Sequence, residues 1–158
     1  MQNCKSASTP VEGNLKTEEE ELGKLVDSTL YRQLVGCLRF ICHNRPEITY
    51  GVGVISKYMA NPTQAHLIAA KRIMRYLKGH LCFGVLFPNQ KQKCEAVFLG
   101  YSDSDWCGDK VDRRSTSGYL FTIFGAPISW SSRKQDVVAL STCGAEYIAA
   151  CHATCQGL

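Results

Sequence analysis

Glu95-Ala96-Val97-Phe98-Leu99-Gly100-Tyr101-Ser102-Asp103-Ser104-Asp105-Trp106-Cys107-Gly108-Asp109 is the stretch on which the fold turns. Val97, Leu99 and Tyr101 alternate with Ala96 and Phe98, which predicts a strand over Glu95 to Ser102. An acidic residue then closes an apolar strand ahead of a glycine turn, a place where a hard cation can be held. A calcium loop of the D-x-D-x-x-G kind is excluded. Its fifth position here is Cys107, and its twelfth, where a bidentate Glu belongs, is Arg114.

Downstream, the aromatic and β-branched run Ser117 to Phe124 predicts a second strand. Gly125-Ala126-Pro127 turns the chain, and Ile128 to Ser132 returns it. From about Ser141 the small residues, with Ala145, Ile148, Ala149 and Cys151 at helical spacing, predict a helix. Glu146 lies on it among apolar neighbours. Upstream, Cys82 to Phe87 reads as a further strand, with Pro88-Asn89 as a turn.

Before that, the period is 3.6. Asp27 or Ser28 can cap a helix whose inward face is Leu30, Leu34, Val35, Leu38 and Ile41. A second helix starts at Pro46, with Ile48, Val52, Ile55 and Met59 as its stripe, and Asn61-Pro62 stops it. Thr63 caps a third, with Leu67, Ala70, Ile73, Met74 and Leu77 inward and Gly79 at its end. Residues 1–26, polar and carrying the acidic run Glu18 to Glu21, read as a flexible linker. The expected organisation is a linker over 1–26, a helical unit over 27–80, and a mixed α+β or α/β unit over 81–158 in which three antiparallel strands precede a helix.

Composition excludes more than it selects. No apolar run reaches the roughly 18 residues of a membrane span. The amino-terminal segment lacks the apolar core of a secretory leader. These features predict no membrane partner and a cytoplasmic or nuclear protein that is not secreted. The 9 cysteines are odd in number and include no C-x-x-C pair, so they read as reduced thiols. Net charge is only +4, but it is unevenly spread. No acid falls between Glu47 and Glu95, whereas Lys57, Lys71, Arg72, Arg75, Lys78, Lys91 and Lys93 all do. Such a stretch can track a phosphate backbone, and it can equally be a solvated helix face. No G-x-S-x-G elbow, phosphate loop or H-E-x-x-H pair is present.

Taken together, YSDSDWCGD, DRRSTSGYLF, ISWSSRKQ and VALSTCGAEYIAA resemble the ribonuclease H region of copia-type retrotransposon polyproteins. STPVE, DSTLYRQLVGCLRFI, RPEITYGVGVISKYM and AAKRIMRYLKG resemble the stretch joining reverse transcriptase to that region. The resemblance covers nearly the whole chain in order. It implies an incomplete ribonuclease H-like fold after a reverse-transcriptase connection segment. It also implies hydrolysis of the RNA strand of RNA–DNA hybrids by two magnesium ions held by acidic residues.

By motif position, Asp103 matches the acid at the end of the first strand and Glu146 the acid on the first helix. These two are the expected catalytic and metal-binding residues. Asp105 and Asp109 are expected in the loop as solvated side chains. Lys71, Arg72, Arg75 and Lys78 are the expected nucleic-acid contacts. The expected partners are an RNA–DNA hybrid or other nucleic acid and the remainder of the polyprotein.

Two departures qualify the expectation. The family reads S-T-x-E-A-E-Y where this chain has Cys143-Gly144 before Ala145-Glu146. The family's other carboxylates lie beyond the position of Leu158, so the sequence predicts weak magnesium binding and no activity for this chain alone. Two alternatives stand beside this reading. One is a nucleic-acid-binding remnant without catalysis. The other is an exapted or mislabelled effector-like protein, suggested by Arg32-Gln33-Leu34-Val35, which approaches an R-x-L-R host-entry motif but lacks its final arginine.

Overall fold

The computed structural model describes residues 3–12, 23–89 and 97–158. The chain divides into two compact units, Met1–Gly84 and Val85–Leu158.

The first unit is helical. Helix α1 spans Ser28–Ile41, and the Asp27 carboxylate accepts from the Thr29 N–H at 2.8 Å, satisfying one of the helix's unpaired first-turn donors. Pro46–Ile48 form a 3₁₀ turn that runs straight into α2, Thr49–Ser56. Helix α3 spans Gln64–Gly79. Its cap is reciprocal: the Thr63 side chain meets the third-residue backbone while His66 Nδ1 accepts from the Thr63 N–H at 3.0 Å. Histidine thus does the work that Glu does in the usual capping box. His66 is buried, and Tyr58 stacks on its ring with centroids 3.8 Å apart.

Tyr31, Val35, Leu38, Ile48, Val52, Ile55, Ala70, Ile73 and Tyr76 make one core. Each large aliphatic side chain there contributes roughly 2 kcal/mol by leaving water. Of the inward face expected for α1, Val35 and Leu38 are buried and Leu34 and Ile41 pack against the core, while the first position differs. Leu30 is 57% exposed, and Tyr31 is fully buried in its place. The reason is polar: the Tyr31 hydroxyl donates to the Ile55 carbonyl at 2.8 Å, so the ring enters the core without leaving its oxygen unpaired. Burial pushes the Tyr31 phenol well above its usual range.

Residues 4–12 differ from the linker reading, for they pack on α3. Ala7 is buried in the core, and its N–H donates to the Arg75 carbonyl at 3.3 Å. An alanine can enter there because it is small and because its backbone donor is paired. Leu25 bridges to Thr63, and the Val26 N–H reaches the Pro62 carbonyl. Glu18 to Glu21 lie outside the described residues.

The second unit has strands β1 (Phe98–Ser104), β2 (Thr116–Ile123) and β3 (Ala126–Lys134), followed by helix α4 (Thr142–Gly157). The sheet order is β1-β2-β3 with both pairs antiparallel. The mixed α+β expectation therefore stands. Residues 82–87 are not a strand: they are irregular and largely exposed, having no neighbour to pair with among the described residues. The β2–β3 turn is Phe124-Gly125, one residue earlier than the sequence suggests. Both of its residues have positive φ (52° and 77°), as a two-residue primed hairpin turn requires.

Helix α4 buries Ala145, Ala149 and Ala153 at four-residue spacing, a smooth stripe that lies close against β1 and β2. Phe121 sits between two glycines. A Cβ at Gly100 would come within 2.6 Å of its ring, and one at Gly157 within 3.2 Å. Phe98 stacks alongside at 5.2 Å.

Candidate functional site

The carboxyl end of β1 meets the first turn of α4. Asp103 occupies the penultimate position of β1, opposite Gly118, and Glu146 the fifth position of α4. The Ser104 N–H donates to Asp103 Oδ1 at 2.9 Å and to Glu146 Oε1 at 3.3 Å. The two oxygens are therefore no further apart than 2.9 and 3.3 Å laid end to end. Both side chains are exposed. Two residues far apart in sequence are thus brought to one donor, the Ser104 N–H, which lies 42 positions before Glu146, with both carboxylates exposed.

The other loop acids are turned away from them. Asp105 accepts from the Thr116 N–H and spans the neck of the loop, where its own N–H also reaches the Thr116 carbonyl. Asp109, expected as a solvated side chain, is instead buried at 8% exposure. Lys134 compensates it: its ammonium lies 2.5 Å from Asp109 and 2.7 Å from Asp112. Burial alone would lower the Lys134 pKa, but the hydrogen bonds to the two aspartates outweigh it and raise it. Asp112 is held below the ordinary carboxylate range, first by its hydrogen bond to Lys134. Sequence spacing could not show this, because Lys134 comes from the far end of β3. The only advance signal was an acidic loop with two basic residues, Arg133 and Lys134, at the end of a neighbouring strand.

Beneath the two carboxylates lies Gln135, which the sequence reading did not single out. It is 1% exposed. Its Nε2 reaches Ser104 Oγ at 3.1 Å, Ser117 Oγ at 2.8 Å and the Ala145 carbonyl at 2.9 Å. A glutamine just past an amphipathic strand reads as a loop residue, and although Gln135 closes the motif ISWSSRKQ, nothing there marked its side chain as part of a site.

A single magnesium ion is commonly held by one or two carboxylates and several waters. The pair Asp103 and Glu146 fits one such ion. Among the described residues no third Asp, Glu, His or Cys joins them. Two divalent ions would bring four positive charges to two carboxylates, so the donor set here does not fit a two-ion centre.

In the first unit, Lys71, Arg72, Arg75 and Lys78 lie along α3. Lys71 is exposed. The others face residues 4–12: Arg72 pairs with Glu12 and donates to Thr9 Oγ1 at 3.0 Å, while Arg75 Nε donates to the Lys5 carbonyl at 2.8 Å. Lys78 Nζ donates to the Cys4 carbonyl at 2.9 Å.

This sequence is 43% identical over 163 residues to the retrovirus-related Pol polyprotein from transposon TNT 1-94 of Nicotiana tabacum, and 42% identical over 147 residues to that from transposon RE1 of Arabidopsis thaliana. The chain belongs to the copia-like transposon Pol polyproteins. The matches cover 95% and 93% of this chain but only 12% and 10% of those Pol polyproteins. A protein of Plasmopara viticola named secreted RxLR effector protein 161 is 42% identical over 125 residues, which cover 78% of this chain and 86% of that protein. No family model matches the sequence. No solved structure matches it. Among the described residues no helix is long and apolar enough to cross a membrane.

Proposed function

We propose that the second unit is part of a ribonuclease H-like nucleic-acid hydrolase within a copia-like Pol polyprotein, with Asp103 and Glu146 as ligands of one divalent cation. The observation that carries this reading is the shared Ser104 donor, which sets the two motif-matched carboxylates side by side at the end of a strand. When bound, the cation supplies a polarised water and neutralises charge on a phosphate. The chain's own part is to place the two carboxylates and to leave them open to solvent. The remaining donors of a two-ion centre would come from elsewhere in the polyprotein. The substrate this reading implies is an RNA–DNA hybrid, with the basic face of α3 as a further contact.

An effector role gains nothing from α1. Arg32 is bonded back to Ser28 within the helix, and Val35 stands in the core where a final arginine of the motif would fall.

The test is binding of a labelled RNA–DNA hybrid by the purified chain with and without magnesium, beside Asp103→Asn. Binding strengthened by magnesium in the parent and not in the variant, with neither cleaving the hybrid, is the expected result. Magnesium-independent binding in both would overturn the site. Cleavage lost in Asp103→Asn would overturn the limit to one ion.

A further inference from the structure

We propose that Gln135 is the positioning residue that sets the spacing of Asp103 and Glu146, so that a divalent cation can be shared between them; this deepens the metal-site reading above and rests on it.

The argument starts from where its amide nitrogen reaches. Ser104 directly follows Asp103, and Ala145 directly precedes Glu146. Gln135 Nε2 lies 3.1 Å from Ser104 Oγ and 2.9 Å from the Ala145 carbonyl, so a single side-chain atom ties the residues adjoining both carboxylates. A third tie, 2.8 Å to Ser117 Oγ, fixes the nitrogen against β2. The Gln135 N–H donates to the Ser115 carbonyl at 2.8 Å, which anchors the residue itself.

The chemistry of the neighbours sets the amide's orientation. The Ala145 carbonyl can only accept. Ser104 Oγ donates to the Asp105 carbonyl at 2.9 Å, so it accepts from Gln135. A donor group must therefore face both, and the amide nitrogen does. Its two hydrogens serve three acceptors.

The carbonyl end shows the cost of this arrangement. Gln135 Oε1 is buried and has no hydrogen-bond partner in the described structure. An apolar side chain of the same length would leave no orphaned Oε1, but it would take the donor from Ser104 Oγ, Ser117 Oγ and the Ala145 carbonyl, and buried polar groups left unpaired are uncommon in folded proteins. Packing alone does not call for glutamine here. Holding β1 to the start of α4 at a fixed separation does, because that separation decides whether two carboxylates meet one ion. Groups that orient metal ligands from behind change affinity when removed, even though they never touch the metal.

The test uses the full chain and three variants: Gln135→Met, which keeps length without hydrogen bonds; Ser117→Ala, which removes one tie that leads to neither carboxylate; and Asp103→Asn. The first readout needs no metal. In the parent, the Ser104 amide ¹⁵N shift should follow the titration of two carboxylates, and the same should hold in Ser117→Ala. In Gln135→Met it should follow Asp103 alone, because Glu146 has moved out of reach. Two-group titration preserved in Gln135→Met would overturn the proposal. The second readout is manganese(II) broadening of the amides around 103, 104 and 146. It should vanish in Asp103→Asn and need about tenfold more manganese in Gln135→Met. Manganese affinity equal to the parent's in Gln135→Met would overturn the proposal. Absence of broadening in the parent would overturn the metal reading, while the metal-free titration still decides whether Gln135 sets the spacing. Should Gln135→Met fail to fold, Gln135→Leu, which likewise has no hydrogen-bonding group, carries the same comparison.

Discussion

Asp103 and Glu146 accept from the same backbone N–H, that of Ser104, at 2.9 and 3.3 Å. One hydrogen serves two like charges, so each carboxylate is weakly held and repelled by the other. Glu146→Gln should therefore leave the thermal midpoint unchanged or raise it slightly, within about 0.5 kcal/mol. Thermal unfolding followed by circular dichroism decides the point. A loss above about 1.5 kcal/mol would mean that the carboxylate is a structural tie and not an open ligand.

Gly144 is the third residue of α4, and its N–H donates to Ser141 Oγ at 3.0 Å. That makes the departure from the family's S-T-x-E pattern a lost capping box, because Glu at this position would bond back to the cap. A Cβ there meets only Ser141 Oγ, at 3.4 Å. Gly144→Glu should stabilise the chain by about 1 kcal/mol in chemical denaturation, with Gly144→Ala recovering most of it. Magnesium affinity should not rise. A rise would mark position 144 as a ligand and count against Glu146.

Lys134 neutralises Asp109 and Asp112 together, so Lys134→Met leaves a buried carboxylate uncompensated. The expected loss is about 2 kcal/mol at neutral pH, measured by denaturant midpoint. The pH dependence follows from two shifts of opposite kind. Asp112 is lowered in the folded chain, so its contribution is present above the ordinary carboxylate range and lost as pH falls through the depressed value. Lys134 is raised, so its contribution is complete below the ordinary lysine range and lost as pH climbs through the elevated value. Stability should fall at both extremes in the parent. Lys134→Met should flatten the alkaline limb.

Residues 4–12 hold Arg72, Arg75 and Lys78. Removing residues 1–12 should therefore tighten binding to an RNA–DNA hybrid and steepen its salt dependence, and Arg72→Ala with Arg75→Ala should cancel both effects. Fluorescence anisotropy at several salt concentrations reads this. Binding indifferent to salt in the shortened chain would rule out α3 as a phosphate contact.

The Tyr31 hydroxyl is bonded at 2.8 Å to the Ile55 carbonyl. Tyr31→Phe should cost about 1 kcal/mol in thermal or denaturant unfolding, since it removes a buried hydrogen bond without opening a cavity and leaves the Ile55 carbonyl only the Tyr58 N–H at 3.3 Å.

The elements that were legible in the sequence are those whose signals are local. Asp27 before an apolar period placed α1, Thr63 placed α3, alternation placed β1, and an aromatic and β-branched run placed β2. Asp103 and Glu146 were legible because motif position carried them, not because any spacing linked residues so far apart. What escaped was non-local. Lys134 reaches Asp109 only because antiparallel pairing brings Thr116 opposite Lys134. Gln135 matters only because three elements meet on its amide. The packing of residues 4–12 escaped because a short polar segment gains its order from α3, and nothing in its own composition announces that. Leu30 misled for a simpler reason: a neighbouring tyrosine with a carbonyl to reach takes the inward place.

The seat of Ala7 against Arg75 carries a consequence for how the first unit is made. A chain emerging from the ribosome releases residues 4–12 well before α3 exists to receive them, and Lys78 comes 74 positions after the carbonyl it binds. Local helices form early, while contacts between distant positions wait for the intervening chain. The earliest residues synthesised in this unit are therefore among the last to find their place, and a ribosome stalled before α3 would hold a helical nascent chain whose leading segment is still open to chaperones and proteases.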